Sequence, residues 1–151
     1  MAAQPQILIV EARFYEELAD EMFRGASAEL AGAEVTRWSV PGCFELPAAI
    51  RMAIDGAAAG GCPRFDGYIA LGCVVRGETD HYDHICRESS RALMDLTTGE
   101  GIALGFGVLT CETYDQARVR AAVDGKNKGA DAARACLRMM ALRRSLGPPP
   151  R

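Results

Sequence analysis

The stretch LGCVVRGETDHYD, Leu71 to Asp83, decides how this chain reads. Its first part closes a nearly unbroken apolar run, Tyr68 to Val75, of the kind expected for a parallel strand covered on both faces. Arg76 and Gly77 interrupt the run, and Glu78, Thr79 and Asp80 are residue types that suit a helix N-terminus. The chain's two histidines, His81 and His84, then fall in the first helical turns. A helix start carries free N–H groups and partial positive charge, so this strand–turn–helix offers a seat for an anion such as phosphate. An arginine and imidazole side chains, the type that most readily exchanges protons near neutrality, lie beside that seat. The combination points to chemistry rather than packing.

Outward from this turn the chain alternates strands and helices. Ile7 to Val10 reads as a first buried strand, with Glu11 to Phe14 as its exit loop. Tyr15, Leu18, Ala19, Met22, Phe23, Ala26 and Leu30 keep helical spacing, and Gly32 stops that helix. Glu34 to Val40 is a second strand ending at Pro41-Gly42. A second helix spans about Phe44 to Ala59, its start set by Pro47, which a helix tolerates only in its first turn. A third runs from Asp80 to Leu96, closed by Thr97-Thr98-Gly99; Ile102 to Leu109 is the fourth strand. Helices around Tyr114 to Ala122 and Asn127 to Leu146 follow, and Gly147 to Arg151 reads as a flexible tail. The order predicts one α/β domain over 1–151: a three-layer α/β/α sandwich with a four-stranded parallel sheet flanked by helices. Ligands then belong at the carboxyl ends of the strands, near Glu11–Phe14, Val40–Glu45, Val75–His81 and Leu109–Thr113.

Composition narrows the function classes. Hydrophobic residues at 49% and charged residues at 25% place the chain among soluble globular proteins. A net charge of -3 argues against a general nucleic-acid binder. Charge is nonetheless uneven: from Lys126 onward seven basic residues face one acidic residue, a pattern that most often marks a solvated helix face. No apolar stretch approaches membrane-spanning length, and the N-terminus does not resemble a signal peptide. Six cysteines without CxxC spacing, three of them on strand or helix patterns, read as small core residues of a reduced, cytoplasmic protein.

Several chemistries find no support. His81 and His84 share a helix face with Asp80 and Asp83 nearby, but two histidines without a clear third ligand make a poor zinc site, so no metal is expected. Gly125 to Gly129 lacks a P-loop ending, and Gly105-Phe106-Gly107 lies inside a strand rather than at a dinucleotide-binding turn. A phosphoacceptor receiver domain needs an acidic cluster after strand one, where Glu11 stands alone. The other informative turn is VPGCFELP, Val40 to Pro47: a well-made helix start whose backbone N–H groups and Glu45 carboxylate suit a polar, hydroxylated ligand. Phe14, at the rim of the same sheet end, suits stacking on a flat ring.

VPGCFELP, LGCVVRGETDHYD, the GFGVLT segment with its following ET and QA pairs, and NKGADAA occur in an order and spacing that resemble lumazine synthases over about Ile7 to Leu146. The resemblance implies a flavodoxin-like fold and a homo-oligomer, a pentamer that in some members stacks into decamers or builds sixty-subunit shells, with sites between subunits. It implies condensation of 5-amino-6-(ribitylamino)pyrimidinedione with 3,4-dihydroxy-2-butanone 4-phosphate, in riboflavin biosynthesis, without metal or other cofactor and without nucleic-acid or membrane partners. Carried over, Phe14 would stack on the pyrimidine, and Cys43, Phe44 and Glu45 would hold the ribityl hydroxyls. Gly77, Glu78 and Thr79 would seat the phosphate, with Arg120 as its counter-charge. His81 matches the proton-transferring histidine, Phe106 would close the pocket from the adjacent subunit, and Lys128 matches the lysine of the NKG segment. Two features depart from the pattern: ARFY stands where many relatives have SRFN, and Asp124 stands where a lysine is frequent. The archaeal-type riboflavin synthase and a flavin-binding paralogue remain as alternatives; the phosphate turn with Arg120 speaks against the first, intact site residues against the second.

Overall fold

The computed structural model describes residues 3–147, so of the expected tail only Gly147 lies within it; Pro148 to Arg151 fall outside the described residues. The elements are β1 (Gln6–Ala12), α1 (Glu16–Ala28), β2 (Glu34–Val40), a 3-10 turn (Cys43–Glu45), α2 (Leu46–Ala58), β3 (Gly67–Val75), α3 (His81–Glu100), β4 (Leu104–Cys111), α4 (Tyr114–Ala121) and α5 (Lys128–Ser145). All strand pairings are parallel, in the order β2-β1-β3-β4. Ile7, Leu8, Ile9 and Val10 are all fully buried because consecutive side chains enter opposite layers. Ile7 and Ile9 pack with Leu18 and Met22 of α1, Ala117 of α4 and Cys136 of α5. Leu8 and Val10 pack with Leu46 and Ile50 of α2 and Leu93 of α3. The chain therefore folds as the α/β/α sandwich that the alternation of elements predicted.

Glycines set the depth of one layer. A Cβ on Gly105 would collide with the carbonyl oxygen of Ala132, and one on Gly129 with that of Met22, so β4 and α1 both meet α5 backbone to backbone. The Gly105-Phe106-Gly107 pattern that mimics a nucleotide motif is thus the footprint of α5 on β4.

Several boundaries differ from the sequence reading: β4 runs two residues later, Leu104–Cys111 rather than Ile102 to Leu109, and α1 ends at Ala28, before Gly32. β1 continues through Glu11 and Ala12, which pair with Ser39 and Val40, so the exit loop starts later than the apolar run suggested. The turn Cys43–Glu45 is 3-10 and α2 itself begins at Leu46, with Pro47 still in its first turn. α3 runs through Thr97, Thr98 and Gly99 to Glu100. The hydroxyls of Thr97 and Thr98 donate back to the Met94 carbonyl at 2.7 and 3.1 Å, which keeps them in the helix. The stop is Gly101, at φ 65, the left-handed conformation that glycine adopts most easily.

Candidate active site

The strand order places β1 and β3 side by side while their connections leave in different directions, the switch point where sheets of this type open a crevice. A cleft of about 760 Å³ lies there. Phe14 enters it from the β1 exit; Pro41 to Glu45 enter from the β2 exit; Cys73 to Val75, Gly77, Thr79, His81 and His84 enter from β3 and the start of α3. Seven of the candidate residues, Phe14, Cys43, Phe44, Glu45, Gly77, Thr79 and His81, thus meet in one cavity. They come from three strand ends that are up to 67 residues apart in sequence, from 14 to 81.

Phe14 is 74% exposed, its ring held edge-to-face by Tyr15 at 4.9 Å, and Tyr15 in turn meets Tyr114 of α4 at 5.7 Å. The tyrosine that departs from the usual asparagine therefore props the aromatic rim. In the β2 exit the Glu45 N–H donates to the Gly42 carbonyl at 3.2 Å, tightening the turn, and the Glu45 side chain is exposed at the helix start. The His81 N–H donates to Thr79 Oγ1 at 3.3 Å, and His84 Nε2 lies 3.3 Å from Asp80 Oδ2. Burial pushes the Cys43 and Cys73 thiols up to about 12, so near neutral pH they are protonated walls of the cleft rather than nucleophiles. All six cysteines are unpaired, four of them buried.

Four candidate residues do not line this cleft. Glu78 is exposed in the same turn. Arg120, on α4, donates to the Gln116 carbonyl at 3.0 Å, and Lys128 pairs with Asp131 at 3.0 Å at the start of α5. Phe106 is 46% exposed and lines a separate hollow of about 400 Å³ with Leu93, Met94, Leu104 and Met139. Arg76, the arginine that the sequence puts beside the anion seat, does not line the cleft; its guanidinium is bound to Asp83 and Glu112. The lining of the cleft consequently includes no arginine or lysine.

Sequence reasoning missed one cluster. Glu11, without an acidic neighbour in the strand-one exit, is 2% exposed and held by arginines: its carboxylate accepts hydrogen bonds from Arg37 Nε at 3.0 Å, Arg37 Nη2 at 3.1 Å and Arg13 Nη1 at 2.8 Å. Asp20 joins Arg13 at 3.0 Å, and the Arg37 guanidinium lies 3.7 Å over the Phe23 ring. This network ties the β1 exit, which carries Phe14, to the edge strand. Only the parallel register opposing Glu11 to Ser39 reveals it, since that register puts Arg37 diagonally beside Glu11.

Comparison with known proteins identifies the family of the chain. The sequence model of the family described as 6,7-dimethyl-8-ribityllumazine synthase matches residues 4–144. A protein of that name from Agrobacterium fabrum is 50% identical over 147 residues, covering 96% of this chain and 99% of its own length. The 6,7-dimethyl-8-ribityllumazine synthase 1 of Rhizobium meliloti is 53% identical over 143 residues, 93% of each chain. The synthase of Methylorubrum extorquens is 49% identical over 145 residues, 95% of this chain and 83% of that protein. With likeness of this extent along nearly its whole length, the chain belongs to the 6,7-dimethyl-8-ribityllumazine synthase family.

Proposed function

We propose that this chain makes 6,7-dimethyl-8-ribityllumazine in riboflavin biosynthesis, joining 5-amino-6-(ribitylamino)pyrimidinedione to 3,4-dihydroxy-2-butanone 4-phosphate. The observation that carries the reading is the convergence of Phe14, Cys43 to Glu45, Gly77, Thr79 and His81 on one cleft at the sheet's switch point. On this reading Phe14 stacks on the pyrimidine, and the 43–45 turn with the Glu45 carboxylate takes the ribityl hydroxyls. The Gly77–Thr79 turn receives the phosphate.

The nucleophile is supplied by substrate, which suits a cleft whose cysteines are held as thiols. The substrate amine adds to the ketone and loses water to give an imine. Elimination then expels phosphate, and a second condensation closes the ring with loss of water. The protein's task is to align two reactants, balance the charge on departing phosphate, and move protons at the imidazole of His81.

Phosphate needs cations that the lining of the cleft does not include. This supports a homo-oligomer in which Arg120 and Lys128 reach a phosphate and ligand at the boundary between copies, and Phe106 closes the cleft of a neighbour. The half-exposed Phe106, beside exposed Met94 and Met139, is an apolar edge suited to that packing. We favour a pentamer or a stacked decamer, working in the cytoplasm, where six unpaired cysteines stay reduced.

The test is to mix the protein with both substrates and follow lumazine absorbance and phosphate release against the unaided condensation. His81→Ala is expected to slow turnover by about ten- to a thousandfold, the usual span of general acid–base contributions. Complete loss of turnover with assembly intact would refute a role limited to proton transfer; no acceleration by the unaltered protein would refute the synthase reading.

A further inference from the structure

We infer that Arg76 is a positioning residue that holds the first turn of α3, and with it His81, against the sheet; its catalytic consequence rests on the synthase reading above. Three observations carry the inference. First, the Arg76 N–H donates to the Cys111 carbonyl at 2.9 Å, so the backbone stays locked to β4 one step beyond the end of β3. Second, the guanidinium joins two further elements. Its Nε donates to Glu112 Oε2 at 2.8 Å in the corner after β4, and its Nη1 and Nη2 reach the two Asp83 oxygens at 3.4 and 3.2 Å. The same group lies 4.2 Å over the ring of Tyr82, the residue after His81.

Third, core burial at this end of α3 is slight. The buried residues of the helix are Ser89 and Leu93, two turns or more beyond His81. The N-cap Asp80 makes no side-chain capping bond, and the turn from Gly77 to Asp80 is exposed. Ile85, one turn beyond His81, is only partly buried against the core, so the orientation of the turn bearing His81 falls to the planar fork and ring stacking of Arg76. A lysine, with one point charge and no plane, reproduces neither. Isolated surface ion pairs contribute little, but three contacts from one rigid group define an orientation as well as an attraction.

The experiment compares Arg76→Lys and Arg76→Ala with the unaltered protein, each alone and combined with His81→Ala. Amide exchange over residues 79–86 is expected to speed up by about tenfold in both Arg76 variants, as for a locally opened helix end, with exchange elsewhere unchanged. Turnover is expected to fall by about tenfold at unchanged KM for the pyrimidine substrate, since small misplacements of a reacting group are costly. In the His81→Ala background the same substitutions are expected to change turnover by less than about twofold, because both act through one group. Unchanged exchange over 79–86 overturns the inference, as does a turnover loss of equal size with and without His81. Should Arg76→Ala fail to fold, Asp83→Asn and Glu112→Gln each remove one arm of the clamp and are held to the same outcomes. A protein without synthase activity would refute the functional reading, while amide exchange would still decide whether the clamp exists.

Discussion

Phe14 separates binding from stability more sharply than any other residue of the cleft. Its ring is 74% exposed, so truncation removes almost no core burial. The interaction lost within the chain is the edge-to-face contact with Tyr15 at 4.9 Å, which across similar pairs contributes about 0.5–1.5 kcal/mol beyond area. At the exposed end of the loop the lower figure applies, and for a chain of this size that shifts the melting temperature by only about 1–2 °C. Stacking of a heterocycle on an aromatic side chain is larger, about 1–3 kcal/mol by alanine substitution. Phe14→Ala is therefore expected to weaken binding of the lumazine product by about 5- to 150-fold while melting stays nearly unchanged, with Phe14→Trp retaining most of the affinity. Fluorescence titration with 6,7-dimethyl-8-ribityllumazine, run beside thermal melts of the same preparations, measures both quantities. An affinity within about twofold of the unaltered protein would refute stacking at Phe14, and a melting loss above about 5 °C would refute its description as a rim residue.

Other expectations follow from the packing. Gly105→Ala forces a methyl group onto the Ala132 carbonyl and is expected to cost about 1–3 kcal/mol or more, visible as an earlier thermal transition; an unchanged melt would show that α5 can withdraw from β4. Burial pushes Cys43 and Cys73 up to about 12 and Cys136 to about 11, against an ordinary value of 9.0. Below the ordinary value all three are protonated whether folded or not, so they add no pH dependence; above it the unfolded chain ionises first, and stability declines as pH rises towards the folded values. Native protein should react with a thiol reagent at these three sites far more slowly than urea-unfolded protein at pH about 8, and equal rates would contradict their burial.

Much of the fold was legible because its signals are local. The apolar runs of β1 and β3, the helical spacing of α1, and the turns at Gly42 and Gly77 each fit within a dozen residues, and they repeat in an order that admits few topologies. Two of the boundaries that shifted are places where a side chain bends a local rule: Thr97 and Thr98 bonding back to Met94, and Glu11 carried inside a strand by two arginines. Within the candidate site, residue types and motif spacing were enough to nominate Phe14, Glu45 and His81.

What sequence alone determined, then, was the alternation of strands and helices, the identity of the chemically apt turns, and the resemblance carried by their motifs. Tertiary structure decided which of those turns share a cleft and where each charge goes. Arg76 sits next to the anion seat in sequence, yet its guanidinium is taken up by Asp83 and Glu112 and does not line the cleft. Glu11 looks unpartnered in sequence, yet strand register sets Arg37 beside it from 26 residues away. Charge pairing depends on distance in space, and a parallel sheet with helical crossovers brings together residues that no local window contains.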